Sequence, residues 1–159
     1  MAKKEEKTNV MRILEQKKII YRAHSYASTG AVSGTEVAEA LGQNPAQVFK
    51  TLVTQGASKS YYVFMIPVAE ELDLKKGAKA VGEKSIAMIK SKELLPLTGY
   101  IHGGCSPIGM KKQFTTTAHF TVKDFPTVIF SAGKIGYQVE MSFEDLCRVV
   151  PVGVADVTV

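Results

Sequence analysis

Gly99-Tyr-Ile-His-Gly-Gly-Cys-Ser-Pro-Ile-Gly-Met-Lys-Lys112 is the stretch of this chain with the most to offer chemically. Gly103 and Gly104, followed by Cys105, Ser106 and Pro107, cannot continue a helix or a central strand, because the glycines are conformationally loose and proline lacks an N–H. They predict a loop. The amides of Gly104, Cys105 and Ser106 have little side chain to shield them and can donate hydrogen bonds to an oxyanion or a carbonyl. Two further groups could join them. One is Lys50, a cation set between apolar neighbours in Val48-Phe49-Lys50-Thr51-Leu52, and the other is the hydroxyl of Ser131, close to Gly133. A cation, loop amides and a hydroxyl can orient a carbonyl and stabilise negative charge, yet they supply no attacking group. A reaction built on them needs a substrate that is already reactive.

Conventional catalytic machinery is hard to find. Cys105 lies three residues from His102, but side chains at that spacing in an irregular loop have no fixed geometry, and a thiol nucleophile needs its base within hydrogen-bond reach. Cys105 therefore reads as a loop residue sooner than as a nucleophile. The three histidines, His24, His102 and His119, are scattered, and Glu70, Glu71 and Asp73 look like cap and surface charges. Cys105 and Cys147 have no metal-ligand spacing, so neither a disulfide nor a metal site is expected, and nothing calls for a cofactor.

With 159 residues, 45% hydrophobic and 22% charged, the chain should form one folded domain over 1–159, with a short flexible N-terminus at 1–7. No apolar run approaches the roughly 20 residues of a membrane span, and Met-Ala-Lys-Lys-Glu-Glu-Lys lacks the apolar core of a signal peptide, so a cytoplasmic protein with no membrane partner is expected. Twenty basic residues against 15 acidic ones leave a net charge of +5, which favours a polyanionic partner such as RNA. Lys75, Lys76, Lys79 and Lys84 concentrate that charge, either as phosphate contacts or as a solvated helix face.

The elements that must hold these groups can be read from caps and periodicity. Thr8 predicts a helix to about Lys18, Ser33 with Glu36 a capping box for a helix through Leu41, Asp73 a helix stopped at Gly82, Ser91 a short helix closed at Gly99, and Ser142 with Asp145 a closing helix. Strands are predicted over Ile19–Tyr26, Val48–Val53, Tyr61–Val68, Thr115–Phe120, Thr127–Ser131 and Tyr137–Met141, the last two as a hairpin, with a short extended link at Ser85–Ile89. Alternation puts Val48, Lys50 and Leu52 on one face, where an unpaired ammonium is costly if buried and ordinary if it polarises an edge strand. The irregular mixture of helices and hairpins is an α+β pattern.

Four ordered segments carry a resemblance: the glycine loop above, Val48-Phe49-Lys50-Thr51-Leu52, Ile66-Pro67-Val68 with Glu71-Leu72-Asp73-Leu74-Lys75-Lys76, and Phe130-Ser131-Ala132-Gly133-Lys134 with Glu140 after it. Over roughly residues 8–150 the chain resembles the YbaK/EbsC family of editing proteins, relatives of prolyl-tRNA synthetase editing domains. The resemblance implies a mixed, largely antiparallel, curved and barrel-like sheet surrounded by helices. It implies hydrolysis of misacylated Cys-tRNA(Pro), with Cys-tRNA(Cys) as a further substrate, in which the substrate's thiol attacks its own carbonyl. It also implies tRNA and prolyl-tRNA synthetase as partners. Matched motif by motif, Lys50 corresponds to the family's essential lysine, expected to hold the terminal ribose or phosphate of the tRNA end, and Gly103 to a glycine whose main chain holds the substrate's amino group or carbonyl. Tyr26 and Ser131 correspond to pocket-lining residues, and Thr51, Gly104, Cys105, Ser106, Pro107 and Gly133 complete the expected substrate-binding set. Gln138 departs from an aspartate found in some members, and Cys105 from an apolar residue. Competing readings are a non-catalytic module that binds tRNA or a synthetase, a deacylase for another small amino acid such as alanine, and a thiol hydrolase using Cys105.

Overall fold

The computed structural model describes residues 7–159. The expected flexible segment 1–7 lies outside them except for Lys7. Helix α1 (Asn9–Gln16) starts where Thr8 Oγ1 accepts the Met11 amide and buries Val10, Met11 and Leu14. It ends two residues earlier than the sequence suggests, because Lys18 takes a left-handed conformation. Ile19 consequently belongs to the helix exit, its amide bonded to the Leu14 carbonyl, and strand β1 is confined to Arg22–Ser25.

Helix α2 (Gly34–Ala40) carries the capping box of Ser33 and Glu36. Strands β2 (Phe49–Gly56) and β3 (Tyr61–Pro67) form an antiparallel hairpin, and α3 (Leu74–Val81) follows, closed by left-handed Gly82. The Asp73 carboxylate accepts the amides of Lys75 and Lys76 at 2.9 and 3.0 Å, which satisfies two of the donors that a helix start leaves orphaned. Asp73→Ala should therefore cost about 1 kcal/mol, read as a fall in Tm of roughly 2–4 °C by thermal unfolding. Lys76 is engaged with Asp156 at 3.1 Å and with the Thr158 carbonyl at 2.9 Å, so this lysine clamps the C-terminal segment.

Strand β4 (Ile86–Met88), helix α4 (Ser91–Thr98), strands β5 (Thr115–His119), β6 (Val128–Ser131) and β7 (Tyr137–Met141), helix α5 (Phe143–Val149) and strand β8 (Val152–Ala155) complete the order. The mixed α+β expectation holds, and most strand pairings are antiparallel. Among the described residues no closed barrel forms. Instead there are two sheets, β1-β7-β6 and β4-β2-β3-β5-β8, with β3-β5 and β5-β8 parallel. Strand β8 has no counterpart in the sequence reading, since Pro151 and Gly153 depress strand propensity and only pairing with β5 draws the segment out.

The two sheets meet at a parallel bridge between Val48 and Ile129, reinforced by the Ile129 amide donating to the Gln47 carbonyl at 3.0 Å. Alternation then sorts the side chains. Phe49 and Met65 pack inward with Phe130, Val139, Met141, Leu146 and the α1 residues, while Leu52, Phe64 and Ile66 face outward beneath α3 with Ala78. Val48 and Ile129 also face outward, against Ala38 of α2 and Val68.

Candidate functional site

The Val48–Ile129 bridge fixes where Lys50 goes. Alternation puts Lys50 on the same side of β2 as Val48, and Ser131 on the same side of β6 as Ile129, so both residues lie on the outward side of the junction. Ser131 pairs with Gln138 across β6-β7, and Gln138 pairs with His24 across β7-β1. The register thus lays Ser131, Gln138 and His24 in one polar row across three strands, with Lys50 on the same outward side of the neighbouring strand β2. Lys50 is half-buried and forms no salt bridge among the described residues, so its charge is available to a ligand. Gln138, 5% exposed, is held by the Gln43 amide, which donates to its Oε1 at 2.8 Å.

The glycine loop reaches this row through the turn that joins β6 to β7. Gly104 packs against that turn so closely that a Cβ on it would lie 3.2 Å from the Ile135 nitrogen and 3.5 Å from Lys134 Cα, a backbone approach that any side chain would have to push apart. Gly103 is exposed beside Ile135. On the other side of the same turn, the Tyr26 amide donates to the Gly136 carbonyl at 2.8 Å. Three segments distant in sequence, around Tyr26, Gly103 and Ser131, converge on one hairpin end, and β2 delivers Lys50 to its flank.

Other expected site residues lie elsewhere. Thr51 is on the opposite face of β2 from Lys50, paired with Met65, and its hydroxyl is buried without a hydrogen-bond partner. Strand alternation removes it from the polar row. Cys105 projects into an apolar cluster with Val53, Val63, Leu94 and Phe114, and burial pushes its thiol up to about 12. At neutral pH it is a protonated core residue. Ser106 is fully buried with its Oγ accepting the Ile108 amide at 3.3 Å, and Pro107 is buried, so neither side chain reaches the loop surface. Gly133, at φ +88°, has a packing reason instead: a Cβ would come within 3.0 Å of both Tyr100 and Val10. The amides also differ from expectation. Gly104 donates to the Ile101 carbonyl at 3.0 Å and is committed, whereas those of Cys105 and Ser106 meet no acceptor among the described residues.

The structure adds groups that the sequence reading did not place. Glu140 Oε1 lies 2.7 Å from His24 Nε2, and Thr127 donates its hydroxyl to the other carboxylate oxygen. Burial opposes ionisation of Glu140, but the hydrogen bonds from Thr127 and His24 and the charges of His24 and Arg22 outweigh it and hold the carboxyl below its usual range. Gln43 and Thr127 carry no local signal that could have found them. An open groove of about 690 Å³, lined by Ala80, Val81, Phe114, Thr115 to Thr117 and Pro151 to Gly153, shares no residue with the row and presents no ionisable side chain. Among the described residues no three His, Cys, Asp or Glu side chains gather as metal ligands, and no helix is long and apolar enough to cross a membrane.

The aminoacyl-tRNA editing domain model matches residues 29–149, which contain the glycine loop, Lys50, Ser131 and Gln138. A protein of Enterococcus faecalis with the provisional name Cys-tRNA(Pro)/Cys-tRNA(Cys) deacylase EbsC is 45% identical over 161 residues, covering 99% of this chain and 98% of that protein. A crystal structure described as a candidate trans-editing enzyme for prolyl-tRNA synthetase has the same fold, with a TM-score of 0.82 at 22% identity over 96% of this chain and 98% of that one. So does a scaffold used for epitope backbone grafting, with a TM-score of 0.83 at 23% identity over 94% of each chain. By the extent of the domain match and the near full-length relative, the chain belongs to the aminoacyl-tRNA editing domain family.

Proposed function

We propose that this chain is an aminoacyl-tRNA deacylase that removes cysteine from Cys-tRNA(Pro), and from Cys-tRNA(Cys), acting as one editing domain over its whole length. The observation that supports the reading is that Lys50, with no salt bridge among the described residues, shares the outward side of the sheet junction with Ser131, whose hairpin carries the packed glycine loop, while the Cys105 thiol is buried away from it. Such a site can hold an ester and stabilise its developing oxyanion, and the attack must come from the substrate. Cysteine brings its own thiol, so attack on its own carbonyl releases tRNA and a cyclic thioester that water opens. Lys50 and Gly103 are the groups assigned to the reacting ester, with Tyr26 and Ser131 lining its pocket. The 45% identical relative named for this reaction supports the same substrate class. A chain of 159 residues has little surface with which to read a whole tRNA, so selection falls to a partner, for which prolyl-tRNA synthetase is the choice the fold neighbour suggests.

The test is hydrolysis of Cys-tRNA(Pro), Ala-tRNA(Pro) and Pro-tRNA(Pro) side by side, with and without prolyl-tRNA synthetase. Selective release of cysteine is expected. Preference for alanine would reassign the pocket, and no hydrolysis of any of the three with the synthetase present would leave a binding module.

Burial of the Cys105 thiol separates this mechanism from a thiol hydrolase. Cys105→Ala should keep most of the deacylase activity while losing about 1 kcal/mol of stability, and iodoacetamide should modify exposed Cys147 without inactivating the protein.

A further inference from the structure

The polar row ends in a group with no place in a mechanism that relies on the substrate alone. His24 faces the same side of the small sheet as Gln138, its direct cross-strand partner, and as Glu140, whose carboxylate receives its Nε2 at 2.7 Å. Glu140 is itself fixed, since Thr127 donates to its second oxygen, and its carboxyl is held ionised by these bonds. An ionised carboxylate accepts hydrogen bonds and gives none, so Nε2 carries a proton toward it and Nδ1 is the ring nitrogen left to take or give the second one. Nδ1 meets no hydrogen-bond partner among the described residues, and the His24 side chain is 30% exposed. A histidine with one nitrogen donated to a half-buried, fixed carboxylate and the other open to solvent is arranged as a base. Tyr26, two residues on, is bonded to the turn against which the glycine loop packs, so the base borders the same site.

We infer that His24 is the general base of the editing reaction, positioned by Glu140 and Thr127. This rests on the deacylase reading above. His24 Nδ1 takes the proton from the substrate cysteine thiol, and the thiolate forms the new S–C bond at the aminoacyl carbonyl. Collapse of the tetrahedral adduct breaks the bond between the carbonyl carbon and the ribose oxygen, and that oxygen receives the proton back from Nδ1–H. No electrons leave the system and no co-reactant is needed. Water then opens the cyclic thioester to cysteine. Lys50, on the same outward side of the neighbouring strand β2, is left to the developing oxyanion.

The experiment compares His24→Gln and His24→Gly with wild type on Cys-tRNA(Pro) under single-turnover conditions. Glutamine keeps an N–H donor for Glu140 but offers no base, so its folded state and Tm should match wild type while the rate of cysteine release falls on the order of 100-fold, with substrate affinity little changed. Imidazole added to His24→Gly should restore part of the rate, a response that loss of a purely structural histidine would not give. His24→Gln within about twofold of wild type, or a His24→Gly rate indifferent to imidazole, overturns the assignment. In either of those cases wild type still releases cysteine, and the deacylase reading stands without its base; an inactive wild type removes both.

Discussion

Lys50→Ala should lower the rate of cysteine release from Cys-tRNA(Pro) by roughly 100- to 1,000-fold, the effect of deleting one preorganised oxyanion donor, equivalent to about 3–4 kcal/mol of transition-state stabilisation. The loss should appear in the single-turnover rate more than in substrate affinity, because the ammonium acts on charge that develops only during reaction. Stability should hardly change. Lys50 has no salt bridge among the described residues, and removing a half-buried cation beside Val48 and Ile66 relieves desolvation without orphaning a partner. Lys50→Arg keeps the charge but spreads it over a planar fork, so it should recover only part of the rate. An Ala variant with full activity and unchanged Tm would remove Lys50 from the site.

The second large effect is expected at Gly104. A Cβ there would sit 3.2 Å from the Ile135 nitrogen and 3.5 Å from Lys134 Cα, and backbone cannot swing aside as a flexible side chain can. Gly104→Leu must lift the glycine loop off the β6-β7 turn. A displacement of about 1 Å there misplaces Gly103, the exposed residue of the Gly-Gly-Cys-Ser-Pro run, enough to cost on the order of 100-fold in rate. The displaced loop also pulls Cys105 from its cluster with Val53 and Phe114, so this variant should lose stability as well. Lys50→Ala and Gly104→Leu therefore differ in kind: one silences a folded protein, and the other moves the wall of its site. Rate and Tm measured together separate them, and a Gly104→Leu protein with wild-type rate would show that the loop does not contact substrate.

Local chemistry was legible wherever its determinants sit within four residues of each other. The caps at Thr8, Ser33, Asp73 and Ser142 all form as the sequence predicts, because a side-chain oxygen needs only the next turn's amides. The β6-β7 hairpin was equally readable from apolar runs and a turn, and β2 and β3 were readable as strands though not as partners. Motif matching was less discriminating at single residues. It brought Thr51 in with Lys50 and Ser106 in with Gly103 because they are neighbours in the chain, whereas strand alternation and loop burial turn them away.

The α+β class, the family and the candidate groups, Lys50 and the glycine loop, can be read from the chain alone, since these are written in residue types at short spacing. Tertiary structure alone decided which groups share a surface. The Val48–Ile129 bridge joins the strands that carry Lys50 and Ser131 across 81 residues of chain, and the β1-β7 register brings His24 to Glu140 across 116. Neither pairing has a local signature, because register between distant strands is fixed by burying one face of each sheet, and one step of slip would turn every one of these side chains into the core.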